Sequence, residues 1–198
     1  MRGEKKREFF ATNWDPERKE KRGDNYDIYF TVRQSASAAF TTPTPVQAVD
    51  TPADEMHPWL TANGKQLYFS RKTKEGWRVF VASRANPAAA QGFGEPKLIE
   101  ELPAGFHHAT LTPDGKTMYL QGPLEKERTG LFVSTRAKDG WSTPEPLDTL
   151  NHPDGPTGER SPNLSRDGSL LYFASDRPGG QGGLDLYVIP TKELTKKK

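Results

Sequence analysis

Met56-His-Pro-Trp-Leu-Thr-Ala-Asn-Gly-Lys-Gln-Leu-Tyr-Phe-Ser70 returns twice in this 198-residue chain. The second copy is His107-His-Ala-Thr-Leu-Thr-Pro-Asp-Gly-Lys-Thr-Met-Tyr-Leu-Gln121, and the third is Arg160-Ser-Pro-Asn-Leu-Ser-Arg-Asp-Gly-Ser-Leu-Leu-Tyr-Phe-Ala174. A period of about fifty residues is the mark of an array of supersecondary units. In each copy an Asn-Gly or Asp-Gly pair, at Asn63-Gly64, Asp114-Gly115 and Asp167-Gly168, sits between two short apolar bursts. That pattern predicts a hairpin in which both turn residues adopt positive φ.

Outward from this block, each copy runs into a further apolar strand: Arg78-Val-Phe-Val-Ala82, Gly130-Leu-Phe-Val-Ser134 and Asp185-Leu-Tyr-Val-Ile189, with a fourth example at Asp27-Ile-Tyr-Phe-Thr31. An aromatic followed by proline three positions later comes next, in Phe40-Thr-Thr-Pro43, Phe93-Gly-Glu-Pro96 and Trp141-Ser-Thr-Pro144, and leads into a short outer strand. One repeat thus reads as four strands. Such a sheet cannot bury both faces alone, and serial stacking around a central channel is the solution that a β-propeller adopts. The expectation is an all-β chain, a β-propeller of about four four-stranded blades with the first and last incomplete. It forms a single domain over 1–198, with repeats at approximately 1–54, 55–105, 106–158 and 159–191 and a basic tail at 192–198. Tyr68, Phe69, Phe80, Tyr119, Phe132, Tyr172, Phe173 and Tyr187 are the expected inter-blade core.

Composition agrees with this reading. Hydrophobic residues are 33% of the chain, with 18 Gly and 17 Pro, which suits many short strands joined by turns. No apolar run reaches membrane-spanning length, and Met1–Phe10 holds no stretch resembling a secretory signal. The absence of cysteine excludes disulfides, thiolate metal sites and thiol nucleophiles. Net charge is only +2, and the basic runs at Lys5–Arg7, Arg18–Arg22 and Lys196–Lys198 fall in ends or a loop, so no nucleic-acid partner is expected.

The stretch Ser161–Tyr187, Ser-Pro-Asn-Leu-Ser-Arg-Asp-Gly-Ser-Leu-Leu-Tyr-Phe-Ala-Ser-Asp-Arg-Pro-Gly-Gly-Gln-Gly-Gly-Leu-Asp-Leu-Tyr, resembles the WD-like repeat of TolB-like β-propellers. The likeness is strong in the last repeat, good in the middle two and weak in the first. It implies a protein-binding or scaffolding module of the bacterial cell envelope, often periplasmic, with a protein partner or the subunits of a larger assembly. Related blades also occur in metal-dependent oligogalacturonate lyases, which keeps an enzyme open. Repeat one lacks its innermost strand and repeat four its outer one, so the chain is expected to be excised from a longer propeller, a four-bladed variant with an imperfect seam, or completed by a partner. Unpaired edges also offer self-association.

Aligned on the turn glycines, His57, His108 and Ser161 share one position, with Glu55, Phe106 and Glu159 two residues upstream. His107 and Arg160 lie in the same strand starts, and His152 in the loop before one. Glu55, His57, His107, His108, Glu159 and Arg160 are therefore the candidate ligand-binding residues of a channel mouth. They either fill polar positions around a solvated channel, or hold a divalent metal through neutral imidazoles, or serve as acid and base in a glycan-processing enzyme. No cofactor is expected beyond that metal, and no catalytic residue is assigned. The glycine-rich loop Ser175–Asp185 lacks phosphate-loop or calcium-loop spacing and reads as a tight connection. Trp14, in the charged loop Asn13–Asp24, is the candidate partner contact.

Overall fold

A computed structural model describes residues 6–15, 20–21, 23, 25–89 and 91–194. Arg18, Lys19, Arg22 and Lys196–Lys198 lie outside the described residues. The first sheet contains β1 (Lys6–Thr12), β4 (Asp27–Arg33) and β5 (Thr44–Pro45), with the small hairpin β2 (Trp14–Asp15) and β3 (Glu20–Lys21) between its first two strands. The second is β6 (Glu55–Leu60), β7 (Gln66–Thr73), β8 (Gly76–Ser83) and β9 (Lys97–Leu98). The third holds β10 (His107–Leu111), β11 (Thr117–Pro123) and β12 (Thr129–Ala137), with β13 (Gly140–Trp141) and β14 (Glu145–Pro146) both paired to β12. The fourth consists of β15 (Glu159–Leu164), β16 (Leu170–Ser175) and β17 (Asp185–Pro190), followed by a short 3-10 turn at Thr191–Glu193. All strand-to-strand ladders are antiparallel, and the first and last sheets have three strands in the main ladder.

The expected hairpins form, with a different turn. Within these turns positive φ is confined to the glycines, at 68° for Gly64, 68° for Gly115 and 73° for Gly168. The preceding Asn63, Asp114 and Asp167 use their side chains instead. Each accepts from a hydroxyl two residues back (Thr61, Thr112, Ser165) and from the backbone amide two residues on. Such local bonding to the chain is what short polar side chains do best in turns.

Strand alternation gives every sheet two apolar faces, and consecutive sheets cover one another. The outgoing face of the first sheet (Ile28, Phe30, Val32) meets the incoming face of the second (Leu67, Phe69, Ala82). The second (Tyr68, Val79) meets the third (Met118, Leu120, Phe132) in the same way. The third (Tyr119, Leu131) meets the fourth (Leu164, Leu171, Phe173). Of the predicted aromatic core, all but Tyr172 are in these layers. Its equivalents Tyr68 and Tyr119 are 1% and 4% exposed, whereas Tyr172 is 43% exposed, because no sheet among the described residues covers the outgoing face of the fourth. Leu186 on that face is 85% exposed, while Val79 and Leu131 at the same repeat position are buried.

The aromatic-x-x-Pro segments have a mechanical role that the repeat alone does not reveal. Arg33, Arg84 and Arg136, near the ends of the third strands, lie over Phe40, Phe93 and Trp141 with the guanidinium 4.9, 4.4 and 4.2 Å from the ring centroid. Each cation–π contact, worth roughly 0.5–2 kcal/mol, holds the return loop against its strand. The outer strand then seats a pair of apolar residues three apart (Val46 and Val49, Ile99 and Leu102, Leu147 and Leu150), all buried.

Leu131→Ala is expected to cost about 2–5 kcal/mol as a core truncation, whereas Leu186→Ala at the equivalent position should stay within about 0.5 kcal/mol. Paired denaturant titrations check this; equal losses would mean that the outgoing face of the fourth sheet is covered in solution.

Candidate functional site

The three innermost strands begin with a shared irregularity. The ladder slips between Met56 and Trp59, between His107 and Thr110, and between Arg160 and Asn163. Within each slip one residue is left-handed: His57 at φ 54°, His108 at 53° and Ser161 at 54°. A β-bulge of this kind re-aims a side chain and frees a backbone amide. The amide of His108 donates to Ser70 Oγ at 2.9 Å, and that of Ser161 to Gln121 Oε1 at 3.1 Å, so these two bulges are bonded to the sheet before them.

The bulges bring His57, His107 and His108 together. The rings of His57 and His108 stack with centroids 4.0 Å apart and 19° between planes. His107 is 5.7 Å from His57 and stacks at 5.7 Å on Trp77, while the Lys72 ammonium lies 5.4 Å from the Trp77 centroid. Burial drives all three imidazoles below their ordinary pKa, reinforced by neighbouring imidazoles at His57 and His108 and by Lys72 at His107. His57 falls to about 4 and His108 to about 2, so both are neutral at pH 7. His107 Nδ1 bonds to the Gly105 carbonyl at 2.9 Å, which requires the proton on Nδ1. The Nδ1 atoms of His57 and His108 are buried without a partner among the described residues.

Parallel rings one above the other cannot both aim a lone pair at one ion, because each metal–nitrogen bond lies in its ring plane. The stack as it stands is therefore not a chelate. Among the described residues, three His, Asp or Glu ligand atoms come within 4.8 Å of one another only at Asp27, Asp50 and Glu55, and Glu55 there is already engaged.

The two predicted carboxylates stand apart from the histidines. Glu55 is fully buried and accepts from Arg71 Nε at 2.7 Å and from the amide and hydroxyl of Thr51, while Arg71 also donates to the Val49 carbonyl at 3.0 Å. Burial pushes the Glu55 carboxyl up, against the pull of Thr51 and Arg71. Glu159, also fully buried, accepts from Arg177 at 3.2 Å and Ser175 at 2.9 Å, and Arg177 reaches the Leu150 carbonyl at 2.8 Å. Each Glu–Arg pair thus ties the start of an inner strand to the turn leaving the preceding sheet. In the third sheet Phe106 takes the glutamate position and packs edge-on against Phe132 at 5.0 Å. Gly122 takes the arginine position, where a Cβ would come 2.4 Å from the Phe106 ring.

Arg160 is half-buried on β15, paired with Ala174. His152 lies in an outer loop, its Nδ1 accepting from the Asp154 amide at 3.2 Å. Trp14 is 50% exposed on the β2–β3 hairpin. Trp77, Lys72, Arg71 and Arg177 belong to these sites and were not singled out by the repeat. Arg71 and Arg177 fall in different columns of it, since Arg177 reaches back two residues to place its guanidinium beside Glu159.

No protein-family model and no curated protein matches the sequence. Solved structures do match in fold. TolB from Acinetobacter baumannii superposes with a TM-score of 0.59 at 12% identity, over 93% of this chain and 39% of that one. The fold is a TolB-like β-propeller. The chain is similar in fold also to a nidogen/laminin complex (TM-score 0.57, 14% identity, 96% of this chain and 59% of that one) and to the arabinanase of Bacillus subtilis (0.59, 16%, 85% and 65%). The chain spans less than two thirds of the length of each.

Because the folded imidazoles hold protons less tightly than the ordinary value of about 6.5, the unfolded chain gains protons first as pH falls. Stability is complete above that value and is lost on acidification toward the folded pKa values. We expect a loss on the order of 2–4 kcal/mol between pH 7 and 4.5 from His57 and His108 together, after discounting for partial exposure. In His57→Asn/His108→Asn, which keeps residues tolerant of left-handed φ, most of this slope should vanish. Thermal melts across pH check it; an unchanged slope would contradict the assignment.

Proposed function

We propose that this chain is a non-enzymatic protein-binding or scaffolding propeller module that works within a cell-envelope assembly. The observation that carries the reading is the open outgoing face of the fourth sheet, where Leu186, Val188 and Tyr172 are 85%, 55% and 43% exposed and adjoin the exposed Leu184. Contiguous apolar surface of this kind marks association sites. Its side chains correspond to ones that are buried by sheet–sheet contact elsewhere in the same molecule. The TolB-like fold supports the envelope setting, and a neighbour crystallised as a nidogen/laminin complex supports use of such a propeller in protein association. Among the described residues no helix is long and apolar enough to cross a membrane.

The second reading, a metal-dependent or glycan-processing enzyme, draws on the arabinanase likeness and on the buried histidines. It needs a free carboxylate beside an imidazole, and Glu55 and Glu159 are instead held by Arg71 and Arg177. Release of sugar from arabinan by the purified chain, abolished in His57→Asn, would favour it.

A photo-crosslinking residue at position 186 is expected to capture one defined protein in envelope extract of the source cells, at a yield well above the same residue at exposed Lys116. Equal, diffuse labelling from both positions would contradict the protein-binding reading.

A further inference from the structure

The hairpin turns of the second and third sheets border a cavity of about 260 Å³. These two sheets are consecutive and already packed on one another, so no further sheet enters between them. Asn63, Gln66, Asp114, Gly115, Lys116 and Arg136 line the cavity, and Arg136 decides its character.

Arg33, Arg84 and Arg136 share one repeat position, which Thr191 takes in the fourth sheet. In the other sheets this side chain binds carbonyls of its own turn or return loop. Arg84 donates to Gly64 at 2.8 Å, to Pro87 at 3.3 Å and to Ala89, and is 5% exposed. Arg33 donates to the Ala36 carbonyl at 3.0 Å, and the Thr191 hydroxyl to that of Gly168 at 2.8 Å. Arg136 is exposed and reaches back to the second sheet, where Nη2 donates to the Tyr68 hydroxyl at 3.0 Å. Burial pushes that phenol up from its ordinary value, so it is a neutral partner. The turn beside Arg136 is also uncovered. A Cβ at Gly64 would meet Pro87 at 3.2 Å and one at Gly168 would meet Pro113 at 2.6 Å, whereas one at Gly115 would meet nothing within 4 Å.

Arg136 thus keeps Nε and Nη1 without an acceptor, and its charge without a carboxylate, among the described residues. The Trp141 ring, 4.2 Å from the guanidinium, and the Tyr68 bond hold it in place. Asp114 is already engaged by the Thr112 hydroxyl and the Lys116 amide, with Lys116 as its neighbouring cation. Asn63 uses Oδ1 within its turn and leaves Nδ2, and the Gln66 side chain makes no hydrogen bond among the described residues. A fixed guanidinium with unfilled donors matches the paired oxygens of a carboxylate. We propose that this cavity binds a small carboxylic acid, with its carboxylate on Arg136 and a second polar group on the side-chain amides of Asn63 and Gln66. The site lies apart from the exposed face of the fourth sheet and does not depend on protein binding there.

The probe is malonate, titrated into the isotope-labelled chain while the side-chain resonances of Arg136, Asn63 and Gln66 are followed by NMR, with malonamide as the uncharged control. Saturable shifts at these residues are expected, with a dissociation constant on the order of 1–10 mM, and malonamide should produce none of comparable size. Gln66→Glu sets a carboxylate beside the guanidinium without altering Arg136, and should weaken malonate at least about tenfold. Arg136→Lys keeps the charge but loses the planar fork, and should weaken it similarly. Both positions are at the surface, and thermal melts check that the variants are folded. The proposal is overturned by an absence of saturation up to about 100 mM malonate, by equal binding of malonamide, or by unchanged affinity in Gln66→Glu. Full affinity in Arg136→Lys would also overturn it, leaving only diffuse attraction to cationic surface. Binding of the peptide Gly-Gly-Ala without binding of malonate would overturn the small acid and assign the site to protein C-termini.

Discussion

Each sheet of this molecule has two apolar faces, and the covering of one sheet by the next is the constraint from which the rest of the structure follows. Fully burying a Leu or Phe side chain contributes roughly 1.5–3 kcal/mol, and the layers around Phe69, Tyr68 and Leu131 each gather many such side chains. A three- or four-stranded sheet of this sequence left alone in water would forfeit both faces. Stability is therefore shared between neighbours, as in other repeat architectures. By the same logic the incoming face of the fourth sheet is covered, while its outgoing face meets no further sheet among the described residues.

Registration between sheets depends on polar contacts that the apolar layers could not supply. Glu55 with Arg71 and Glu159 with Arg177 fix where each inner strand starts relative to the preceding turn, and the bulge amides of His108 and Ser161 fix its height. Removing one partner of such a buried pair would strand a charge, whereas replacing both by apolar groups of matched shape is often neutral. The third sheet has made that replacement, with Phe106 packed over Gly122. Two solutions to one positional problem thus occur within one chain, and neither calls for a ligand. The histidines differ. His57 and His108 hold left-handed backbone and buried ring nitrogens, features that the apolar packing does not require.

Strand order, hairpins and inter-sheet aromatics were legible in the sequence because they follow from a period-two pattern and turn residues repeated at fixed spacing. Convergence of His57, His107 and His108 was legible as well, since they share strand starts. The columns of Glu55 and Glu159 show position but not direction, and only the structure reveals their buried pairing with Arg71 and Arg177. The positive φ predicted for Asn63, Asp114 and Asp167 fell to their side chains, which gain more by accepting local hydrogen bonds. The exposure of Tyr172 was illegible from its column, where Tyr68 and Tyr119 are buried: burial there is a property of the following sheet.

Hydrogen exchange at three equivalent valine amides tests this account most directly. Val81 and Val133 face paired outer strands, while Val188 lies on β17, whose outer side is unpaired among the described residues. The account predicts that Val188 exchanges orders of magnitude faster than the other two in the isolated chain. Equal protection of all three would show that the fourth sheet is already completed and covered, and the central claim of an open end would be wrong.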